Sequence, residues 1–283
     1  MNILISGMGL IGGSFCKALK KYTNHTVTGY DINKDIEKLA LSEKSIDYIF
    51  NGNYSDFDLI IVCMYPEITE KYFYDALPKI NRKTLITDVC GIKGEMSERI
   101  HKSALQNGIE YIPIHPMAGK EVGGYSNSTA DLYIRANMVI TPFSNSNPEK
   151  TTLLSELAEH MGFRKIVVTT PQEHDKMIAY TSQLAHIVSS AYVKSPSLDK
   201  ESGFSGGSFQ DMTRIATMNE DMWTSLFMQN RKNLESELSV LIENLEKYRV
   251  ALSENDSETM KKLIKEGSEL KYQNLKKRVG ENN

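Results

Sequence analysis

The stretch Gly7-Met8-Gly9-Leu10-Ile11-Gly12-Gly13-Ser14 decides the fold of the N-terminal half of this chain. It follows the apolar run Ile3-Leu4-Ile5, which predicts a buried strand, and it opens an amphipathic segment, residues 14–21, which predicts a helix. The stretch is therefore a G-x-G-x-x-G pattern in the strand–turn–helix context that dinucleotide binding requires.

Each glycine of the pattern has a physical reason. Gly7 permits the tight turn after the strand, Gly9 lets the backbone approach a pyrophosphate, and Gly12 allows close packing of helix on strand. The helix N-terminus attracts the phosphates. A Gly-rich turn without a ligand is the alternative. The pattern predicts these dinucleotide-binding residues: Gly7, Gly9, Leu10, Ile11 and Gly12.

A carboxylate, Asp31, ends the second predicted strand, 24 residues after Gly7. A carboxylate at this place accepts hydrogen bonds from the adenosine ribose and repels a 2′-phosphate, so it favours NAD over NADP. Asp31 could instead only cap the following helix, and the nearby Lys34 could weaken the preference for NAD.

Short apolar runs alternate with amphipathic segments through the first 170 residues. Further strands are predicted at 26–30, 59–63, 84–87, 111–114, 138–141 and 166–168, and further helices at 35–42, 67–77, 93–106 and 148–161. Such alternation indicates a parallel sheet covered on both faces. With right-handed crossovers this is a doubly wound α/β fold of the Rossmann type.

The pattern changes after Thr170, and the rest of the chain is predicted to be all-helical. Long helical segments cover residues 174–194, 208–218, 221–253 and 257–279. We therefore predict a dinucleotide-binding domain over residues 1–170 and an all-α domain over residues 171–283.

An apolar stripe runs along the predicted helix 221–253. Its members are Leu234, Leu238, Leu241 and Leu245, which step by four, three and four residues. The stripe could be core within the chain or could pair with a second subunit. A small helical lobe buries little core alone, which favours a homodimer through the C-terminal helices.

Composition excludes several classes of protein. A net charge of −3 over 283 residues offers no basic face for nucleic acid, and no apolar run approaches the roughly 20 residues that span a membrane. The three cysteines are far apart and form no Cys-x-x-Cys pair, which argues against a disulfide framework or a metal site. The N-terminus shows no secretory leader, so we expect a cytoplasmic protein.

His115 directly follows the predicted strand 111–114 and opens the segment His115-Pro116-Met117-Ala118-Gly119-Lys120-Glu121. Ligands of a doubly wound sheet gather beyond the carboxyl ends of its strands, so His115 is placed to face a nicotinamide. A neutral imidazole can accept a proton from a hydroxyl whose carbon loses a hydride. The alternative is a histidine that only fixes a loop.

Two helical segments carry further polar candidates. Ser182 and His186 are four residues apart and share a helix face, where they could line a pocket or form a satisfied core pair. Arg214 has apolar neighbours, and its guanidinium offers a planar fork for a carboxylate. A salt bridge to Asp211, three residues earlier, is the alternative for Arg214.

Together these segments resemble the prephenate/arogenate dehydrogenase family of tyrosine biosynthesis. The resemblance is carried, in family order, by Gly7–Ser14, His115–Glu121, Ser182–His186 and Asp211-Met212-Thr213-Arg214-Ile215-Ala216. It implies NAD-dependent oxidative decarboxylation of prephenate to 4-hydroxyphenylpyruvate, with a helical lobe that binds substrate and dimerises.

The resemblance also implies roles for individual residues. His115 matches the catalytic histidine that hydrogen-bonds the ring hydroxyl, and Arg214 matches the residue that grips the side-chain carboxylate. Trp223 stands where the family often has a tryptophan near the pocket. The resemblance further implies that the cofactor is contacted by Gly91. It implies that the substrate is contacted by His174, Ser182, Gln183 and His186.

Two positions depart from the family pattern. The family often has a serine that bridges the catalytic histidine and the cofactor, and Gly91 stands in its place within Asp88-Val89-Cys90-Gly91-Ile92-Lys93. His115 is therefore expected to be oriented by a backbone group or a water molecule. Ala185 stands where a proline is common, which is a small change.

Three other functions stay open. Arogenate dehydrogenase performs the same reaction on an amino-acid side chain. A β-hydroxyacid dehydrogenase also joins this sheet to helices, but it uses a helix lysine as base, and His115-Pro116-Met117 argues against it. A non-catalytic NAD-sensing module would keep the Gly-rich turn and need neither His115 nor Arg214.

Overall fold

A parallel six-stranded sheet forms the centre of the N-terminal part in the computed structural model, which describes residues 1–120 and 122–280. Glu121, the last residue of the segment that begins at His115, lies outside the described residues. The strand order is β3-β2-β1-β4-β5-β6. The strands are β1 (Asn2–Ser6), β2 (Thr26–Tyr30), β3 (Tyr48–Ile49), β4 (Leu59–Val62), β5 (Leu85–Asp88) and β6 (Glu110–Tyr111).

Helices cover both faces of this sheet, as the doubly wound fold predicts. Alternate residues of β1 point to opposite faces, so Ile3 and Ile5 belong to one hydrophobic core and Leu4 to the other. The helices are α1 (Leu10–Tyr22), α2 (Lys34–Ser42), α3 (Pro66–Ala76), α4 (Gly94–Gln106) and α5 (Pro148–His160).

The three last strands form a separate sheet, and the prediction that they continue the parallel sheet is wrong. β7 (Ile114–Met117) pairs antiparallel with β8 (Asn137–Ile140), and β8 pairs parallel with β9 (Lys165–Val168). The ladder on β5 ends where the Ile112 N–H donates to the Ile86 carbonyl, and the carbonyl of the next residue, Pro113, already accepts from Thr141 after β8. His115 consequently lies inside β7 and not after the end of a strand.

Beyond residue 170 the described residues form helices joined by loops and contain no strand, as predicted. A π-helical turn, Ala179–Gln183, joins α6 to α7. The predicted helix 221–253 is instead two helices that meet at Asn230, whose side chain donates to the Asp175 carbonyl. The helices are α6 (Pro171–Ile178), α7 (Leu184–Tyr192), α8 (Gly207–Thr213), α9 (Glu220–Gln229), α10 (Arg231–Ser253) and α11 (Ser257–Gly280).

The chain folds as two compact units, Met1–Arg231 and Lys232–Asn283. Every candidate site residue lies in the first unit, while the division at residue 170 stays a prediction from sequence pattern. Within the described part of the chain, no helix has the length and apolar character that crossing a membrane demands.

Candidate active site

The Gly-rich turn has the shape that its sequence predicts. Gly7 has a φ of +91°, and a Cβ atom there would lie 2.6 Å from the Cys63 carbonyl oxygen. A Cβ atom at Gly12 would lie 1.9 Å from the Gly7 carbonyl oxygen. A Cβ atom at Gly9 would meet nothing within 4 Å, so the turn is closed on its protein side and open beside Gly9.

The open side of the turn fits a pyrophosphate. α1 begins after Gly9, and no side chain caps its first turn, so the amides of Leu10 and Ile11 are available to an anion. The turn leaves β1 between β2 and β4, where the strand order reverses. Ligands of open α/β sheets bind at this reversal.

Asp31 is held against the Gly-rich turn. Its carboxylate accepts hydrogen bonds from the backbone N–H groups of Met8 and Asn33, at 2.7 and 2.9 Å. The cap of α2 is the side chain of Asn33, which accepts from the Asp35 N–H. The alternative in which Asp31 caps the helix is therefore wrong, and the carboxylate lies beside the expected dinucleotide site.

The catalytic candidate His115 is oriented by another side chain. Its Nδ1 lies 2.9 Å from Nε2 of His174, and Nδ1 of His174 lies 2.7 Å from Oδ1 of Asp175. The expectation that a backbone group or water orients His115 is therefore wrong. His174 is 2% exposed, and both its ring nitrogens are engaged within the protein. This placement does not favour the predicted contact of His174 with substrate.

Asp175 is anchored at the start of α4. Its carboxylate accepts from the backbone N–H groups of Lys93 and Gly94, at 2.9 and 2.6 Å. Free N–H groups at a helix N-terminus attract negative charge, so this place suits the Asp175 carboxylate as a hydrogen-bond acceptor. No local sequence pattern predicts this link, because residues 93 and 175 are far apart in the chain.

A fully buried ion pair lies under the site. Lys93 Nζ is 3.0 Å from Asp88 Oδ1 and donates at 2.6 Å to the carbonyl of Ile114, the residue before His115. The Tyr111 hydroxyl donates to the second Asp88 oxygen at 2.6 Å. Because its charges are neutralised and hydrogen-bonded, the pair is tolerated in the core and ties β5 to β7.

The Nε2 edge of His115 faces Gly91, which follows the carboxyl end of β5. A Cβ atom at Gly91 would lie 3.8 Å from His115 Nε2 and 3.9 Å from a methyl carbon of Leu226 in α9. Among the described residues, none forms a hydrogen bond with this nitrogen. Burial, the His174 ring and the Lys93 charge hold the pKa of His115 well below its usual value of 6.5. The ring is therefore neutral at pH 7, with one nitrogen available to a ligand.

His186 and Trp223 are brought together across α7 and α9. Their ring centroids are 3.8 Å apart, and His186 Nδ1 donates to the Ser182 carbonyl at 2.9 Å. Ser182 lies in the π-helical turn, a feature that often marks functional sites. Both His186 and Ser182 are half-buried, as residues that line a pocket would be.

Gln183 is 2% exposed and holds α9 in place. Its amide nitrogen donates to the Leu226 carbonyl at 2.9 Å, and its amide oxygen accepts from Asn230 at 2.7 Å. These hydrogen bonds account for both ends of the amide. The arrangement therefore favours a structural role for Gln183 over the predicted contact with substrate.

Arg214 follows α8 directly and is exposed. α8 packs beside α7, with the rings of Phe209 and Tyr192 6.1 Å apart. The predicted meeting of Arg214 and His115 around one cleft stays a prediction.

The cysteines and the described acidic residues were compared with the requirements of disulfides and metal sites. Cys16, Cys63 and Cys90 are all free thiols. In residues 1–120 and 122–280, no group of three or more His, Cys, Asp or Glu side chains is arranged to hold a metal ion.

The chain matches two family models. Residues 15–176, more than half of the chain, match "Prephenate dehydrogenase, nucleotide-binding domain", and residues 170–266 match "Prephenate dehydrogenase, dimerization domain". Cyclohexadienyl dehydrogenase of Zymomonas mobilis is 27% identical over 276 residues, which is 94% of this chain and 93% of that protein. Prephenate dehydrogenase of Bacillus subtilis is 25% identical over 274 residues, 93% of this chain and 73% of that protein.

Solved structures share the fold. Prephenate dehydrogenase from A. aeolicus, in complex with hydroxyphenyl propionate and NAD+, superposes with a TM-score of 0.85 at 24% identity over 98% of both chains. Synechocystis arogenate dehydrogenase superposes with a TM-score of 0.81 at 23% identity, over 96% of this chain and all of that one. The fold, the Gly-rich turn and both family matches agree, and the chain belongs to the prephenate dehydrogenase family.

Proposed function

We propose that this dehydrogenase oxidises prephenate with NAD and releases 4-hydroxyphenylpyruvate and carbon dioxide. One observation carries the proposal: His115 Nε2 lies beside Gly91 without a hydrogen-bond partner among residues 1–120 and 122–280, while its Nδ1 is held by His174. A neutral imidazole with one free nitrogen at the carboxyl end of β5 is suited to accept a proton from a substrate hydroxyl. The relative from A. aeolicus, which holds hydroxyphenyl propionate and NAD+, supports this choice of ligands.

In this proposal His115 acts first as a general base and then as a general acid. Nε2 accepts the proton of the ring hydroxyl as the ring carbon is oxidised and its C–O bond becomes a carbonyl. The ring carboxylate then leaves as carbon dioxide, and its bonding electrons form the aromatic ring and a phenolate. His115 gives the proton to that oxygen, so the imidazole ends neutral. Bound NAD supplies the acceptor for the hydride.

Arg214 and the half-buried polar residues of α7 are the proposed substrate contacts. Prephenate carries two carboxylates, and a guanidinium binds a carboxylate with two parallel hydrogen bonds. The stacked rings of His186 and Trp223 would form an apolar wall for the substrate ring, with Ser182 at its edge. Gly91, which follows the carboxyl end of β5, would contact the cofactor beside His115 Nε2.

Arogenate dehydrogenase is the second candidate, because the relatives include a cyclohexadienyl and an arogenate dehydrogenase. The test is a four-way assay of the purified protein, with prephenate or arogenate and with NAD or NADP, followed at 340 nm. We expect the highest kcat/KM with prephenate and NAD. A higher kcat/KM with arogenate would select the second candidate. NAD binding without turnover on either substrate would indicate a sensing module.

We further propose that the protein is a cytoplasmic homodimer that pairs through α10 and α11. Along the apolar stripe only Leu234 is buried, while Leu245 is 57% exposed. Other large apolar side chains of the two helices are also exposed, at 71% for Leu252 and 67% for Tyr272. Exposed apolar faces of this kind mark interfaces. Light scattering coupled to size exclusion should give twice the chain mass, and a monomer at micromolar concentration would contradict the proposal.

A further inference from the structure

Three side chains form a buried hydrogen-bonded relay that ends at His115. The relay runs from Asp175 through His174 to His115, with separations of 2.7 and 2.9 Å. His174 and Asp175 are 2% and 4% exposed, so water does not compete for these contacts. Neither His174 nor Asp175 has a part in the proposed proton transfer itself.

The donor and the acceptor of each hydrogen bond in the relay follow from the protons that each group carries. The Asp175 carboxylate already accepts from two backbone N–H groups and can only accept, so His174 Nδ1 must carry a proton. Burial lowers the pKa of His174, although Asp175 opposes the shift, so the ring is neutral at pH 7 and its Nε2 is an acceptor. His115 must therefore donate from Nδ1, which leaves the lone pair on Nε2.

We propose that His174 is a positioning residue that fixes the tautomer and orientation of His115, so that Nε2 is always the nitrogen that accepts the substrate proton. This inference rests on the proposed function for its kinetic consequence, but the tautomer itself does not. In a free histidine both neutral tautomers are populated, and the wrong one presents an N–H to the substrate hydroxyl and cannot act as base.

The relay also stabilises His115 after proton transfer. An imidazolium at position 115 keeps its Nδ1–H bond to His174, and Asp175 polarises His174 from the far side. The charge of Lys93, at the start of α4, disfavours a positive charge on His115. This effect is reduced because Lys93 forms an ion pair with Asp88 of β5. The carboxylates at 88 and 175 thus offset the buried Lys93 cation near the relay.

Two substitutions of His174 separate positioning from structural support. His174→Gln places an amide oxygen near the former Nε2 and keeps an acceptor for His115. His174→Asn keeps a donor near the former Nδ1, for Asp175, but is too short to reach His115. We expect kcat to fall on the order of 100-fold in His174→Asn and less than 10-fold in His174→Gln, with KM for substrate within about threefold in both.

The direct readout is the tautomer of His115, measured by long-range ¹H–¹⁵N correlation spectra of ¹⁵N-histidine-labelled protein near pH 7. His115→Asn assigns the signal, and His160→Asn, at the exposed end of α5, is the matched control. We expect a single Nδ1–H form in the wild type and in His174→Gln, and a mixture in His174→Asn. An Nε2–H form in the wild type, or an unchanged tautomer in a folded His174→Asn, would overturn the inference.

The spectra also separate this inference from the proposed function. The predicted tautomers without turnover on prephenate or arogenate would refute the proposed function and leave the positioning role intact. Turnover as proposed, with equal kcat in the wild type and both variants, would refute the positioning role alone.

Discussion

Asp31 closes the Gly-rich turn from the neighbouring strand, since its Oδ2 accepts a 2.7 Å hydrogen bond from the Met8 backbone N–H. The carboxylate is thereby fixed at the edge of the expected dinucleotide site before any ligand binds. Its oxygens keep further lone pairs, so it can still accept from ribose hydroxyl groups. Preorganisation of this kind lowers the ordering cost of cofactor binding.

Lys34, which could weaken the preference for NAD, is neutralised by its surroundings. Its Nζ lies 2.9 Å from Glu37 Oε1 and 3.3 Å from the Asp31 carbonyl oxygen, and Glu37 is 2% exposed. Glu37→Gln should free this charge for a 2′-phosphate and raise kcat/KM with NADP by about three- to tenfold, with little change for NAD. Titration of NADPH and NADH binding by fluorescence provides a second measure.

Lys34→Met is the matched control for this prediction. In the double variant Glu37→Gln/Lys34→Met the gain with NADP should vanish, because the freed cation is gone. An equal gain in the single and double variants would show that Lys34 has no part in cofactor choice.

The pH dependence of turnover follows from the lowered pKa of His115. Only the neutral ring accepts a proton, and its pKa lies well below 6.5, so kcat should be at its plateau at pH 7 and fall as pH drops through that pKa. The acid limb should therefore have its midpoint below pH 6.5. A midpoint at or above pH 6.5, or a flat profile down to the pH at which circular dichroism detects unfolding, would contradict the assignment.

Arg214 should act mainly in substrate binding. Removal of one partner from a charge pair with a substrate carboxylate costs about 2 kcal/mol or more, so Arg214→Ala should raise KM about 30-fold or more. Arg214→Lys should recover only part of this, because a lysine lacks the planar fork. Arg231→Ala, an exposed arginine at the start of α10, is the control with the same charge change. An unchanged KM in Arg214→Ala would remove Arg214 from the site.

A serine at position 91 should partly replace the relay. The position has an ordinary backbone φ, and a Cβ atom would lie 3.8 Å from His115 Nε2, so Gly91→Ser fits without strain. Its hydroxyl could donate to Nε2 and favour the Nδ1–H tautomer independently of His174. We expect Gly91→Ser to recover kcat about tenfold in the His174→Asn background, whereas Gly91→Ala, which adds only the methyl group, should not. Equal effects of serine and alanine would argue against a tautomer effect.

The sequence predicts the cofactor half of the site well because its determinants are local. Gly7, Gly12 and Asp31 act through turn geometry and strand ends, which a short sequence pattern specifies. The break between β6 and β7 was not predicted, because strand assignment by apolar runs does not show which neighbour a strand pairs with.

The catalytic half depends on contacts that no local pattern specifies. The link between Asp175 and the start of α4 joins residues 82 positions apart, and the relay joins His115 to a residue 59 positions away. Sequence pattern identified His115 as a candidate, and the family resemblance added His174, which it assigned to the substrate. The adjacent pair His174-Asp175 near a helix start was the one available sign of a relay.

The most direct test of the central claim is the turnover of His115→Asn with prephenate and NAD, measured beside NADH binding. We predict that kcat falls on the order of 100- to 10,000-fold while NADH binding and the melting temperature stay close to wild type. Turnover at the wild-type rate in this variant would contradict the assignment of His115 as the base.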